Sequence, residues 1–147
     1  MLRVAKLTDY ATVVLAVLAA AREDVLSAPE LAERAGLEPT TVSKVLKPLA
    51  QAGLVEGLRG ANGGYRLARE ASRISLIEIV EAMEGPLAMT ECSVHDGACG
   101  IEESCNARAN WRRINDVVAD ALRGVSLAQM LPGTRGPRRR IAMEVAA

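Results

Sequence analysis

Three cysteines, Cys92, Cys99 and Cys105, stand in a C-x6-C-x5-C arrangement within a stretch of this 147-residue chain that has neither helical nor strand period. Thiolates gathered in one loop are soft ligands, suited to zinc, copper(I) or an iron–sulfur cluster. Structural zinc favours C-x2-C or H-x3-H pairs that place two ligands on one turn, whereas both gaps here are wide. A cluster is larger than a single ion and can be gripped by thiolates spread along an irregular loop, so the spacing favours iron–sulfur. Ordinary buried thiols would scatter through the helices as small hydrophobes. Three thiols leave a fourth position open: His95 and Asp96 lie in the same stretch, as do Glu91, Glu102 and Glu103, and His95 is a candidate ligand. A non-thiolate fourth ligand makes a cluster easier to lose or modify, which a sensor needs.

A second set of residues has the chemistry of DNA recognition. Thr40, Thr41, Ser43, Lys44 and Lys47 fall on the outer face of a helical pattern whose inner face is Val42, Val45, Leu46 and Leu49. Hydroxyls reach base edges or phosphates, and lysines suit phosphates. Beyond them, Arg59, Asn62 and Arg66 lie on or beside a glycine-rich reversal, and arginine there can extend into a groove whose narrowness concentrates negative potential. Arg59 is the leading wing-tip contact. Net charge is zero, but residues 40–69 carry five positive side chains against one negative, whereas 76–131 carry four against nine. One segment can meet phosphate while the other stays off it.

These residues need elements to position them, and the chain supplies clear start and stop signals. A first helix is expected from about Thr8 to Arg22, with Thr8 and Asp9 as its N-cap residues. Ser27-Ala28-Pro29-Glu30 is a capping box opening a short helix that ends near Ala35, and Gly36 makes the turn. Pro39 then leads into the recognition helix, which runs to Gly53. Leu54–Glu56 and Tyr65–Leu67 are strand candidates, joined by a span with four glycines and Asn62 that permits a tight reversal. Ser75-Leu76-Ile77-Glu78 opens another helix, stopped by Gly85-Pro86. From Ala88 to Asn106 no period is visible. A long helix follows from about Ala107 to Arg123, with Trp111, Ile114, Val118, Ala121 and Leu122 as one apolar stripe, then a short segment from Ser126 to Leu131. Aromatic content of 2% with no Phe means a core of Ala, Leu, Val and Ile, so the fold class is mainly α with a small β-hairpin. The expected organisation is a winged helix-turn-helix in 1–70, a cysteine loop with helices in 71–131, and a disordered Pro/Gly/Arg-rich tail in 132–147.

The apolar run from Tyr10 to Ala21, preceded by Arg3 and Lys6, imitates the core of a signal peptide, but Thr8 and Asp9 interrupt it and it is too short to span a bilayer. A cytoplasmic, reduced protein with no membrane partner is expected, its odd number of cysteines serving as ligands or thiols rather than disulfides. An enzyme is not expected: there is no Ser/His/Asp set, no phosphate-binding glycine loop and only one histidine.

Along nearly its whole length the chain resembles the IscR-like family of winged-helix repressors that sense iron–sulfur clusters. The matching residues are Leu7-Thr8-Asp9-Tyr10-Ala11, the wing Arg59-Gly60-Ala61-Asn62-Gly63-Gly64-Tyr65-Arg66-Leu67, the helix start Ser75-Leu76-Ile77-Glu78-Ile79, and the three cysteines with Trp111 beyond. Leu7 to Tyr10 and Thr90-Glu91-Cys92-Ser93 look most like the branch that regulates SUF-type cluster assembly. The resemblance implies a repressor of iron–sulfur cluster assembly genes and a homodimer on a palindromic DNA operator, with the long helix as the dimerisation helix. It also implies a cluster near the interface, [2Fe–2S] ahead of [4Fe–4S]. The alternative is a winged-helix regulator with a zinc or thiol redox switch in the loop. Two departures stand out. Relatives often carry a histidine three residues after the third cysteine, and here that position is Arg108, which cannot ligate iron. The nitric-oxide-sensing branch takes an aspartate from the other subunit, and the matching residue is Asp9 of the partner subunit. In addition, Ser43 stands where some members carry a base-reading glutamate, and the first cysteine gap is one residue longer than usual.

Overall fold

A computed structural model describes residues 2–133. The expected tail lies outside them apart from its first two residues. Seven α-helices and one hairpin follow in order among the described residues: α1 (Lys6–Ala21), α2 (Ala28–Ala35), α3 (Pro39–Gln51), β1 (Val55–Leu58), β2 (Gly64–Leu67), α4 (Leu76–Glu84), α5 (Glu91–Val94), α6 (Arg108–Arg123) and α7 (Leu127–Met130). The helical fold with one hairpin agrees with the expectation.

The local signals explain most boundaries. At α2, Glu30 accepts from the Ser27 backbone N–H at 2.8 Å, while Ser27 Oγ accepts from Glu30 N at 3.4 Å. That reciprocal pair satisfies donors the first turn would otherwise leave open. Its backbone bond first, the Ser27 pair holds the Glu30 carboxyl below the usual range. Gly36 closes α2 in the left-handed region at φ 65°, which a Cβ would disfavour. At α4, Glu78 accepts from both the backbone N–H and the Oγ of Ser75, each at 2.9 Å.

The first helix departs from expectation. It starts at Lys6, so its N-cap is Ala5, and Thr8 and Asp9 sit inside the first turn rather than capping it. Ala5 has no side chain able to cap. Instead Glu84, at the far end of α4, accepts from Ala5 N at 2.9 Å and from Thr8 Oγ1 at 2.5 Å.

One core joins the elements. Leu15 and Leu18 of α1, Leu31 of α2, and Val42, Val45 and Leu49 of α3 are buried together with Leu54, Ile74, Ile79 and Leu127. The strands pair antiparallel from Val55 opposite Leu67 to Leu58 opposite Gly64; β1 omits Leu54 and runs two residues past its expected end, and β2 begins one residue early. The hairpin is moored to the body at Leu26, whose N–H and C=O exchange bonds with Tyr65 at 3.0 and 2.7 Å. Gly64 makes that mooring feasible: a Cβ there would run into the Leu26 carbonyl.

Candidate DNA-reading face and cysteine loop

Burial of Val42, Val45, Leu46 and Leu49 turns the other side of α3 outward. Thr40, Ser43, Lys44 and Lys47 are exposed and Thr41 half-buried, so all five share one accessible face. Ser43 Oγ donates to the Pro39 carbonyl at 3.1 Å, which directs its lone pairs outward as acceptors. At the hairpin, Arg59 and Asn62 lie exposed in the turn. Arg66 differs: its Nε donates to Glu56 Oε2 at 2.9 Å across the strand pair. Arg59 is therefore the freer of the two arginines. Helix, turn, helix and wing thus present their polar residues from adjoining elements, as major-groove reading with a flanking wing requires.

The cysteine loop is more structured than its lack of period implied. Cys92 sits in the one-turn helix α5, and a 3-10 turn at Glu102–Ser104 immediately precedes Cys105. Elements this short carry no readable periodicity. Cys92 is buried, with Thr90 Oγ1 at 3.2 Å from its Sγ, while Cys99 and Cys105 are half-buried; all three are free thiols. His95 is exposed. Among the described residues no group of three or more His, Cys, Asp or Glu side chains converges as a metal site, so the three thiols share a loop without being gathered.

Charge pairs and one amide fasten this loop to α6. Arg108 Nη2 donates to Asp96 Oδ1 at 2.6 Å and also pairs with Glu102 Oε1, while Arg112 Nη2 pairs with the same Asp96 oxygen. Arg112 Nε donates to the Cys92 carbonyl at 3.3 Å. Bonded by Arg112 and beside the charges of Arg112 and Arg108, the Asp96 carboxyl is held below the usual carboxylate range. The Asp96 bond likewise raises Arg112. One turn further on, Asn115 accepts from Met89 N at 3.0 Å and donates through Nδ2 to the Leu87 carbonyl at 3.2 Å. Of these loop-holding residues, the sequence marked Asp96 and Glu102 only as neighbours of the open ligand position and Arg108 only as a departure from the family, and it did not mark Arg112 or Asn115 at all. The available signal was Arg108 and Arg112 four apart on one helix face, directly after the acidic pair Glu102-Glu103.

The expected apolar stripe of α6 divides into two faces. Asn115, Ala119 and Leu122 turn inward, with Ala119 buried. Trp111, Ile114 and Val117 remain 41, 42 and 64% exposed, three apolar residues at helical spacing on a solvent face. Exposed apolar side chains in a row mark a contact surface more often than isolated ones do. Asp9 is exposed in the first turn of α1 and shares a largely apolar groove with Leu122 and Val118 of α6.

Residues 4–133 match the Rrf2 family model, described as an iron-dependent transcriptional regulator. The chain belongs to the Rrf2 family. Among similar proteins, protein aau3 of Rhizobium meliloti is 36% identical over 88% of this chain and 85% of its own length. The HTH-type transcriptional regulator IscR of Xenorhabdus nematophila is 29% identical over 69% of this chain, a match that spans 62% of that relative. Among solved structures, CymR, the global cysteine regulator of B. subtilis, superposes with a TM-score of 0.68 at 29% identity, covering 88% of this chain and 96% of that one. This Rrf2 chain is thus an IscR-like transcriptional regulator with a winged-helix fold. Its family binds DNA and is one of regulators rather than enzymes. No described helix is long and apolar enough to cross a membrane.

By their chemistry, though not by convergence, the donors in the loop are those an iron–sulfur cluster takes. Three soft thiols, none in a disulfide, lie within fourteen residues. Arg108 Nε is buried with no hydrogen-bond partner, and its side chain lines one cleft with Cys99.

Proposed function

We propose that this Rrf2 protein is a repressor of iron–sulfur cluster assembly genes that senses cluster status through Cys92, Cys99 and Cys105, with a [2Fe–2S] centre favoured over [4Fe–4S]. The observation that carries the reading is the placement of all three thiols on one loop that is bonded to the long helix α6 at Met89 and Cys92 and again at Asp96 and Glu102. When bound, a cluster supplies a centre that iron depletion and oxidants take apart. Arg112 and Asn115 then tie the loop's arrangement to α6.

The exposed face on Trp111, Ile114 and Val117 supports a homodimer in which α6 crosses its counterpart, and two copies of α3 would read a palindromic operator in double-stranded DNA. In that reading Thr40, Thr41, Ser43, Lys44, Lys47, Arg59, Asn62 and Arg66 meet DNA. His95 or Asp9 of the partner subunit completes the cluster's ligands. Residues 1–70 form the reading unit and 71–131 the sensing and pairing unit, in a cytoplasmic protein.

Anaerobic purification followed by iron and sulfide counts, then operator titrations of both forms at one fixed salt concentration, tests this. Affinities differing about tenfold or more are expected, the scale of ordinary allosteric coupling. Equal affinities would remove the sensing role, and zinc without sulfide would replace it with the metal- or thiol-switch reading.

A further inference from the structure

We propose that Arg108 is a positioning residue for the cluster, donating its Nε–H to a cluster or thiolate sulfur and so raising the centre's reduction potential. The inference rests on the iron–sulfur reading of the loop.

Three observations converge on this side chain. First, Arg108 Nε is buried without a partner. A buried donor left without an acceptor is costly, the more so when it is charged. Such a group in a folded loop calls for an explanation. Second, the guanidinium is held. Its Nη2 is held by Asp96 and by Glu102, whose side chain is only 8% exposed and accepts in turn from Gly97 N at 2.5 Å. Both carboxylates take the same nitrogen, so the planar fork is fixed while Nε stays uncommitted. Third, sulfur is the nearby chemistry. Cys99 lines the same open cleft as Arg108, Asp96 and Glu102, and Cys105 lies three residues before Arg108 at the mouth of α6.

Arginine offers no lone pair and stays charged, so it acts here only as a donor and a positive charge. Hydrogen bonds to sulfur and neighbouring charge are among the levers that set cluster potentials. Stabilising the more negative, reduced state makes reduction easier.

The test uses the full chain purified anaerobically with its cluster, as wild type, Arg108→Lys and Glu102→Gln. Midpoint potential is followed by absorbance and EPR, alongside iron and sulfide counts and the rate of iron release to a chelator. Arg108→Lys keeps the charge but loses Nε, and is expected to shift the redox equilibrium about tenfold toward the oxidised form, equal to 59 mV for a one-electron couple. Glu102→Gln frees the fork and should shift it in the same direction by less. Faster iron release with both potentials unchanged would overturn the proposal, leaving Arg108 as a loop fastener. A wild type that carries no iron and sulfide under these conditions would overturn the cluster reading itself, whatever the variants do.

Discussion

Thr8 Oγ1 donates to Glu84 Oε1 at 2.5 Å, joining the first turn of α1 to the last residue of α4 across 76 positions of sequence. The same carboxylate takes the Ala5 N–H, so the cap of the first helix is borrowed from the fourth. Caps contribute about 1 kcal/mol, with a range of roughly 0.5–2. Glu84→Ala is therefore expected to lower stability by about 1–2 kcal/mol in denaturant titrations. A change within a few tenths would mean that solvent serves Ala5 equally well.

Asn115 closes two backbone bonds on the segment that leads into the cysteine loop. Asn115→Ala orphans the Met89 N–H and the Leu87 carbonyl, at about 1–3 kcal/mol. Amide exchange localises the effect: Met89 should exchange at least tenfold faster while the buried amides of α3 keep their rates relative to global unfolding.

Gly64 passes too close to Leu26 to bear a side chain. Gly64→Ala is expected to break the Leu26–Tyr65 mooring and release the hairpin, costing about 2 kcal/mol or more as a steric core defect does. Operator affinity should fall in parallel, and an unchanged melting temperature would contradict the close approach.

Arg59 and Arg66 should behave differently on DNA, because only Arg66 is engaged by Glu56. Arg59→Ala is expected to weaken operator binding and to lower the slope of log affinity against log salt by about 1. Arg66→Ala should cost less affinity. Similar losses and slopes for both would show that the Glu56 pair opens on DNA.

Burial pushes the Glu78 carboxyl upward, but bonds from the Ser75 backbone and from the Arg69 and Ser75 side chains outweigh it, and the net shift is downward. A depressed carboxylate contributes stability above its unfolded value, about 4.3 for glutamate, and loses it as pH falls through the lower folded value. Wild type should therefore exceed Glu78→Gln in stability at neutral pH, with the gap closing as pH drops below about 4. A gap constant across that window would assign it to packing instead.

What the sequence made legible was local. Ser27 with Glu30, Ser75 with Glu78, and Gly36 declare themselves within four residues, so α2, α3 and α4 are correctly placed from the chain alone. The start of α1 is not, because its cap comes from Glu84, far along the chain. The cysteines themselves are plain to see, but the fastening of their loop depends on Asp96, Glu102, Arg108 and Arg112 meeting in space. Likewise the α6 stripe divides into inner and outer faces only once α4 and the Gly85–Met89 segment lie against it.

Because α6 is bonded to the cysteine loop near its start and bare along its outer face, it has the form of a lever. Its sixteen residues extend about 24 Å at 1.5 Å per residue. A tilt of about 5° at the Arg108 end moves the Arg123 end by about 2 Å, the size of shift by which helices at interfaces switch between packed states. A small change in how the loop grips two arginines and an asparagine is thereby geared up, at the far end of α6, to a displacement of that size.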